Sequence, residues 1–248
     1  MGRIAGMTWS IIARDADGSL GVAVASRFFA VGALCPHVRS GAGALSTQAL
    51  CNPLYAGPAL DAMACDEDPA SIVTRLTTAD EGRDHRQLHT IDARGRIAAH
   101  TGALCIEWCG HCAGEGFSVA GNMLAGPDVI AATAMSYAAA ASLPFADRLI
   151  AALAAGEAAG GDKRGKQAAA LLVATTESYP ALDLRVDDHP DPIVELKRLH
   201  DKSAERFQPF VSCLPSRRRL AGIVDRAIIE AEIDRFQRTR QRQIGGEQ

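Results

Sequence analysis

Cysteine and histidine residues are concentrated between residues 105 and 112, and both are ligands that zinc binds. Cys109, His111 and Cys112 lie within four residues of one another, and Cys105 precedes them. A structural zinc site usually pairs two such ligand groups at a longer separation, and no second group of this kind occurs in the sequence. We therefore interpret these cysteines as free thiols, and we expect neither a bound metal nor an organic cofactor.

A second cluster of reactive groups occupies residues 187–191, which carry three aspartates and one histidine next to two prolines. Carboxylates at this density suit a hard cation. The prolines and the helical pattern that follows also suit a rigid turn with an acidic helix cap, which is the interpretation we prefer. Asp188 and His189 are then candidates for substrate contacts.

Thr8 is the third candidate, because it opens a predicted β-hairpin at residues 8–28. Residues 9–14 show the period-two alternation of a strand, and residues 15–19 carry turn chemistry. Residues 20–25 are apolar at every position. A strand of this kind is expected to be covered on both faces, so the hairpin should lie at the centre of a layered fold with Thr8 at its edge.

Strand and helix patterns alternate along the rest of the chain. Strands are predicted at residues 41–48, 86–92, 96–101, 116–122, 167–174 and 182–186, and helices at residues 54–65, 69–80, 127–141, 144–155 and 192–204. Strands interleaved with pairs of helices favour two packed sheets with helices outside them. The predicted fold class is therefore α+β.

The end of the chain has a different pattern. Residues 208–215 are predicted to be a linker, and residues 217–243 a long helix with one apolar stripe and an arginine-rich remainder. We expect that stripe to dock on the main body or on a second subunit, and hence a homo-oligomer. The predicted organisation is an extension at residues 1–7, a main domain at 8–205, and a linker with its helix at 206–248.

The composition of the chain limits the binding partners and the cellular location that we expect. The chain has 248 residues, of which 48% are hydrophobic and 22% charged, and a net charge of -3 gives no reason to expect nucleic acid or an anionic membrane. No apolar run approaches the roughly 18 to 20 residues of a membrane span, and the first residues lack a secretory apolar region. Seven cysteines, an odd number, do not suit a secreted disulfide framework. A cytoplasmic location is expected.

Six motifs carry a resemblance to a known family. They are, in order, MTWSIIARD, GSLGVAVASRF, VGALCPHVRSGAGALSTQALCNP, GNMLAGP, GGDKRGKQAAALLV and LRVDDHPDP. This order resembles the bacterial and archaeal family named domain of unknown function 1028, which is grouped with the N-terminal nucleophile (Ntn) hydrolases. The resemblance spans residues 7–199 and implies a four-layer αββα sandwich, with helices on both outer faces of two stacked antiparallel sheets.

The resemblance also implies a mechanism. In Ntn hydrolases a threonine hydroxyl attacks an amide while the α-amino group of the same residue acts as its base. Such an amine titrates at about 7.7 to 8.0 when unperturbed, close to working pH. Thr8 would be the nucleophile once the residues before it are absent, either because translation begins at Met7 and the methionine is trimmed or because the Met7–Thr8 bond is cut.

Further site residues follow from the same comparison and from the chemistry of acyl transfer. Proteasome-type Ntn hydrolases close their second strand with a Ser-Arg pair, which corresponds to Ser26 and Arg27. Ala25 stands where their aspartate would be, and Arg39 is the nearest basic candidate on the next strand. Negative charge develops on oxygen in acyl transfer. Its candidate donors are the backbone of two glycines and one side chain, namely Gly41, Gly43 and Asn122.

The remaining candidates are polar residues that would line the site. Ser10, Ser46 and Thr47 are internal hydroxyls without a free amine, and Asp162 lies in a charged loop between glycines, before a strand, as a site-forming loop would. The predicted function is an Ntn-type amidohydrolase that cleaves a small amide or peptide-like bond, with cell-wall amides as one suggested class. The alternative is a non-catalytic scaffold that binds a ligand or metal, in which Thr8 is an ordinary strand-edge threonine.

Overall fold

The computed structural model describes residues 8–245, and side chains as far as residue 241. The predicted extension at residues 1–7 lies outside the described part of the chain. The described strands are β1 Thr8–Arg14, β2 Leu20–Ser26, β3 Pro36–Arg39, β4 Gly43–Ala49, β5 Arg86–Asp92, β6 Ile97–Thr101, β7 Trp108–Gly114, β8 Phe117–Leu124, β9 Ala168–Ala174 and β10 Leu182–Val186. The described α-helices are α1 Ala56–Ala64, α2 Pro69–Thr78, α3 Asp128–Ala139, α4 Phe145–Ala158, α5 Pro192–Val211 and α6 Arg226–Gly245.

The strands form two antiparallel sheets. The first sheet has the order β10-β9-β2-β1-β8-β7, and the second has the order β3-β4-β5-β6. Residues 8–196 form one compact unit, and the described residues from Lys197 form another. Both sheets therefore belong to the first unit.

The two sheets stack face to face and carry helices on their outer faces. Ile12 and Val22 of the first sheet pack against Ala44 and Ile91 of the second. Helices α1 and α2 cover the outer face of the second sheet, and α3 and α4 cover the outer face of the first. This arrangement confirms the predicted αββα sandwich.

The β1–β2 hairpin lies at the centre of the first sheet, as the sequence predicts. Its turn is closed by Asp17, whose carboxylate accepts the backbone N–H of Ser19 at 2.8 Å. Gly18 adopts a φ of 89°, a left-handed conformation that glycine takes without strain. Every residue of β2 is buried, because β1 and β9 flank it and both faces are covered. Thr8, the first residue of β1, is the register partner of Ser26 at the end of β2.

Strand β7 and helix α5 differ from the sequence prediction. Strand β7 was not predicted, because its sequence WCGHCAG lacks apolar alternation, and it forms by pairing with β8. Helix α5 continues through Pro209 to Val211, so the first residues of the predicted linker are helical. Proline removes one backbone donor from a helix interior, yet here the helix continues two residues beyond it.

The second unit contains the end of α5 and helix α6. Helix α6 begins at Arg226, nine residues later than predicted, and its arginine-rich surface joins α5 through ion pairs. Arg240 contacts Asp201 at 2.8 Å, and Arg206 contacts Glu230. No described helix has the length and apolar content needed to cross a bilayer.

Candidate active site

The space between the two sheets changes from apolar at one end to polar at the other. The side chains of Thr8, Ser10 and Ile12 alternate with those of Trp9 and Ile11, which lie on the outer face. Ile12 belongs to the apolar cluster between the sheets, whereas Ser10 bonds to residues of β4 and β5. The polar end is therefore the one where β1 begins with Thr8.

A fully buried chain of hydrogen bonds crosses the sheets at His89. Ser10 donates its hydroxyl to Gln48 Oε1 at 2.7 Å, and Ser10 Oγ lies 2.8 Å from His89 Nε2. Ser10 has one hydroxyl proton, which it gives to Gln48, so its oxygen must accept the proton that His89 carries on Nε2. His89 Nδ1 is then the unprotonated nitrogen, and it accepts from the Ser118 hydroxyl at 3.1 Å. Burial lowers the pKa of His89 to about 3, and the charge of nearby His111 contributes. His89 is thus a neutral, fixed imidazole at pH 7.

Three side-chain amides extend this chain of hydrogen bonds to Thr8. Gln87 Oε1 accepts from Gln48 Nε2 at 2.7 Å and from Asn122 Nδ2 at 3.1 Å. The amide nitrogen of Gln87 lies 2.9 Å from Gly121 O, 3.0 Å from Thr101 Oγ1 and 3.1 Å from Gly110 O, so its two hydrogens are shared among three acceptors. Because Gln87 is fully buried and bonded at both ends, it fixes the amides of Gln48 and Asn122 in one orientation.

Those two amides hold the backbone of Thr8. Asn122 Nδ2 lies 3.4 Å and Gln48 Nε2 lies 3.5 Å from the Thr8 carbonyl oxygen. The Thr8 hydroxyl donates to Ser26 Oγ at 3.2 Å, and Thr8 is 3% exposed. The Thr8 carbonyl therefore accepts from two side-chain amides, and its hydroxyl donates to a serine of the neighbouring strand β2.

Thr8 lies on the wall of a cavity of about 360 Å³. This volume is within the range of small-molecule sites, which starts at about 300 Å³. The cavity is lined by Thr8, Phe28, Cys35, Ala49, Leu50, Cys51 and Arg86. It therefore combines an apolar wall with one hydroxyl, two thiols and one cation.

The cation of the cavity, Arg86, is held by Asp80. Arg86 Nε donates to Asp80 Oδ2 at 3.1 Å, and Arg86 Nη1 donates to Leu50 O at 2.5 Å. Tyr55 donates its hydroxyl to the same carboxylate oxygen at 2.6 Å and is the largest cause of the lowered pKa of Asp80. Burial and this carboxylate raise the pKa of Tyr55 to about 12. Asp80 is thus an anion that fixes the guanidinium at the cavity.

The structure brings four of the predicted site residues to this end of the sandwich. Ser26 and Asn122 contact Thr8 directly. Arg27 follows Ser26, and its backbone N–H donates to Asp162 Oδ2 at 2.8 Å. Asp162 is buried and also accepts the backbone N–H of Arg164 at 2.8 Å, so its carboxylate fixes the end of β2.

Arg39, Gly41 and Gly43 do not join this site. The open end of the β3–β4 hairpin lies at the cavity, with Cys35 just before β3 and Ala49 at the end of β4. Arg39, Gly41 and Gly43 lie at the opposite end of the hairpin, at its turn. Arg39 contacts Asp61 at 2.6 Å on the surface. The direction of the strands therefore separates the predicted basic residue and both predicted glycine donors from Thr8.

Three further predicted residues have local roles away from the cavity lining. Thr47 points away from the first sheet, and its hydroxyl accepts the Asn52 N–H at 2.9 Å. Asp188 accepts from Gln167 at 3.1 Å. His189 Nδ1 accepts the backbone N–H of Asp191 at 3.0 Å, a contact that suits the rigid turn preferred for residues 187–191.

The described part of the chain contains no group of three or more His, Cys, Asp or Glu side chains able to hold an ion. Cys105, Cys109 and Cys112 are partly buried free thiols. Burial raises the pKa of all three, which lowers their thiolate fraction.

Sequence reasoning missed the residues that surround Thr8 from the second sheet. These are Gln48, Arg86, Gln87 and His89, together with Cys35 and Cys51. A usable signal was present: Ser46 and Gln48 alternate along β4, as Gln87 and His89 do along β5, in strands that are buried throughout most of their length. Polar residues at every second position of a buried strand indicate a polar layer between two sheets.

The layered fold and the cavity at Thr8 define a class of α+β sandwich with a candidate site at one end of its two stacked sheets. The chain belongs to DUF1028, a family of unknown function whose model matches residues 8–196. It is similar to the crystal structure of protein SPO2555 from Silicibacter pomeroyi, of the same family model, with 30% sequence identity and a TM-score of 0.81. The similarity covers 88% of this chain and 100% of that one. No curated protein matches the chain significantly.

Proposed function

We propose that this protein is an Ntn-type amidohydrolase that cleaves a small amide or peptide-like bond with the Thr8 hydroxyl as nucleophile. The observation that carries the proposal is the position of Thr8. It is the first residue of a central strand, it lines a cavity, and its carbonyl and hydroxyl are both fixed by hydrogen bonds.

The reaction requires that Thr8 become the first residue of the mature chain. While residue 7 is attached, the nitrogen of Thr8 belongs to an amide and has no basic lone pair. Its removal creates an α-amine close to the hydroxyl, and this amine takes the hydroxyl proton during attack and returns it to the leaving amine. Water then attacks the acyl-threonine ester, and the same amine acts again as base.

The neighbouring side chains support this chemistry in different ways. Ser26 accepts the Thr8 hydroxyl proton in a hydrogen bond and orients the oxygen. Asn122 and Gln48 donate to the Thr8 carbonyl, so we assign them as positioning residues that keep the nucleophile in place. Arg86 lines the same cavity, and in this proposal its positive charge stabilises the oxyanion of acyl transfer.

Composition and the apolar stripe near the end of the chain indicate the location, partners and assembly of the protein. We propose a cytoplasmic enzyme that acts on a small molecule, with neither nucleic acid nor membrane as partner, and that assembles as a homo-oligomer. Size-exclusion chromatography with light scattering tests the assembly, and a monomer at working concentration would contradict it.

Intact-mass analysis and acylation test the nucleophile without a known substrate. We expect the purified mature chain to begin at Thr8 and to gain the mass of one β-lactone, an electrophile that acylates activated hydroxyls. Thr8→Ala should abolish this labelling, Thr8→Ser should retain part of it, and Thr74→Ala on the exposed face of α2 should leave it unchanged. A fully labelled chain that still carries residue 7 would contradict the proposal and favour a ligand-binding role.

A further inference from the structure

Two cysteines that the proposed mechanism does not use lie on the wall of the Thr8 cavity. Cys35 comes directly before β3, and Cys51 follows the end of β4 by two residues. The antiparallel pairing of β3 and β4 brings these positions together, and the N–H of Thr47 bonds to Cys35 O at 3.1 Å. The N–H of Asn52, the residue after Cys51, bonds to Thr47 Oγ1 at 2.9 Å, so the segment of Cys51 folds back towards Cys35, and both thiols line the same cavity.

The two thiols have different surroundings. Cys35 is 4% exposed and packs in an apolar cluster with Val24 and Val31. Cys51 is half-buried and lies beside Arg86. Its neighbour Cys35 lowers the pKa of Cys51 to about 7 despite its burial, and Arg86 contributes. Cys51 and burial raise the pKa of Cys35 well above its usual value.

We propose that Cys35 and Cys51 form a redox site at the Thr8 cavity, in which hydrogen peroxide converts the two thiols to an intramolecular disulfide. Thiolate is the form that reacts with peroxide, and Cys51 carries the thiolate. Cys35 is the resolving thiol because it lines the same cavity as Cys51. Peroxide is small compared with the cavity of about 360 Å³, so it reaches the half-buried sulfur of Cys51.

The reaction proceeds in two balanced steps. The Cys51 thiolate attacks one peroxide oxygen, the O–O bond breaks, and hydroxide leaves and takes a proton to become water, which leaves Cys51 as a sulfenic acid. The Cys35 sulfur then attacks the Cys51 sulfur, the S–O bond breaks, and the departing hydroxide takes the Cys35 proton. Two thiols are oxidised by two electrons to one disulfide, and one peroxide is reduced to two waters.

Disulfide formation would change the surface of the cavity whether or not Thr8 is a nucleophile. A disulfide removes the thiolate beside Arg86 and ties the segment after β4 to the start of β3. Both changes alter the surface that a ligand meets. The inference therefore goes beyond the proposed function, and disulfide formation is expected in the Thr8→Ala variant as well.

Peptide mapping of the full-length protein tests the proposal. The reduced chain is treated with about one equivalent of hydrogen peroxide at pH 7.5, remaining thiols are alkylated, and the protein is digested with trypsin. We expect the peptide of residues 28–39, which contains Cys35, to be linked to the peptide of residues 40–75, which contains Cys51 and Cys65. The intact mass should fall by two hydrogen atoms.

Three variants identify the sulfurs. Cys65→Ala should keep the link, because Cys65 is an exposed thiol outside the cavity lining. Cys51→Ala should lose it, and Cys35→Ala should leave a Cys51 sulfenic acid that dimedone traps. The proposal is overturned if Cys35 and Cys51 are both alkylated after peroxide treatment of the native chain, or if the link persists in Cys51→Ala.

Discussion

Asn122 and Gln87 are joined across the two sheets by a hydrogen bond of 3.1 Å from Asn122 Nδ2 to Gln87 Oε1. Asn122 belongs to β8 of the first sheet and Gln87 to β5 of the second. The same Asn122 nitrogen lies 3.4 Å from the Thr8 carbonyl. The position of Thr8 therefore depends on an amide whose orientation is set by the opposite sheet.

Replacing Gln87 by glutamate should destabilise the protein strongly. Gln87→Glu preserves the shape of the side chain but removes the donors to Gly110 and Gly121 and places a carboxylate in a fully buried site. Breaking such buried pairing costs about 3 to 5 kcal/mol. The free energy of unfolding, measured with urea at pH 7, should fall by this amount, whereas the exposed control Gln241→Glu should change it by less than about 0.5 kcal/mol. Equal effects of the two substitutions would contradict the role given to Gln87.

The neutral state of His89 should make the protein sensitive to mild acid. Its pKa is about 3 when folded and about 6.5 when unfolded. Between these values the unfolded chain binds the extra proton, so stability falls as the pH decreases below about 6.5. From pH 7.5 to pH 5 the loss from this one group is about 2 kcal/mol.

Urea unfolding of the native chain and of His89→Gln at both pH values measures this contribution. The variant should be less stable at pH 7.5, because its amide replaces an imidazole bonded to Ser10 and Ser118. Its stability should nevertheless fall less between pH 7.5 and pH 5. Identical pH dependence of the two proteins would show that His89 is not held neutral.

Asp80 should stabilise the fold above the pH at which an unfolded aspartate titrates. Its folded pKa is lowered by Tyr55 first, and by Arg86 and Asn52 as well. Its contribution is therefore complete above about pH 4 and is lost as the pH falls below that value. Asp80→Asn should lower the free energy of unfolding at pH 7 by about 1.5 to 3 kcal/mol, the range for hydrogen bonds to charged groups.

A surface ion pair provides the control for Asp80. Asp61 contacts Arg39 at 2.6 Å, with side chains that are 72% and 42% exposed. Asp61→Asn should cost no more than about 1 kcal/mol. Equal losses of stability for Asp80→Asn and Asp61→Asn in chemical denaturation would refute the stabilising role of Asp80. The same conclusion follows if, between pH 5 and pH 2.5, Asp80→Asn loses as much stability as the native chain.

Gly156 should tolerate no side chain, because α4 packs closely on Trp9 at this position. A Cβ atom built on Gly156 would lie 2.8 Å from Trp9 Nε1 and would also clash with Thr133 Oγ1. Gly156→Ala should lower stability by about 1 to 3 kcal/mol through overpacking. Gly57 in α1 has no atom within 4 Å of the same built position, so Gly57→Ala should be neutral or stabilise by up to about 1 kcal/mol. Thermal unfolding of both variants compares them, and a stable Gly156→Ala would disprove the tight packing.

The layers of the fold could be predicted from the sequence because residues 20–25 of β2 are apolar at every position. A strand without a polar face needs cover on both sides, and this placed the hairpin at the centre. Ser26 and Asn122 were also predicted to accompany Thr8, and the structure brings all three together.

The second-sheet part of the site could not be predicted in the same way. Which residues of β4 and β5 face Thr8 depends on how the sheets stack and in which direction each strand runs, and neither is visible in local patterns. Gly41 and Gly43 show the consequence: glycine content suggested close approach to a ligand, yet strand direction places both at the far end of the hairpin.

The two sheets meet through an apolar cluster at Ile12 and through hydrogen-bonded residues near Thr8. These two regions contribute differently to the alignment of the sheets during folding. Aliphatic side chains tolerate a small lateral slip of one sheet over the other, since their attraction has no direction. The hydrogen bonds of Gln48, Gln87 and His89 do not tolerate such a slip, because it would leave several buried donors and acceptors unpaired at once. Alignment of the two sheets is thus encoded at the end where Thr8 lies, so a substitution made there to test the proposed chemistry also weakens the interactions that align the sheets.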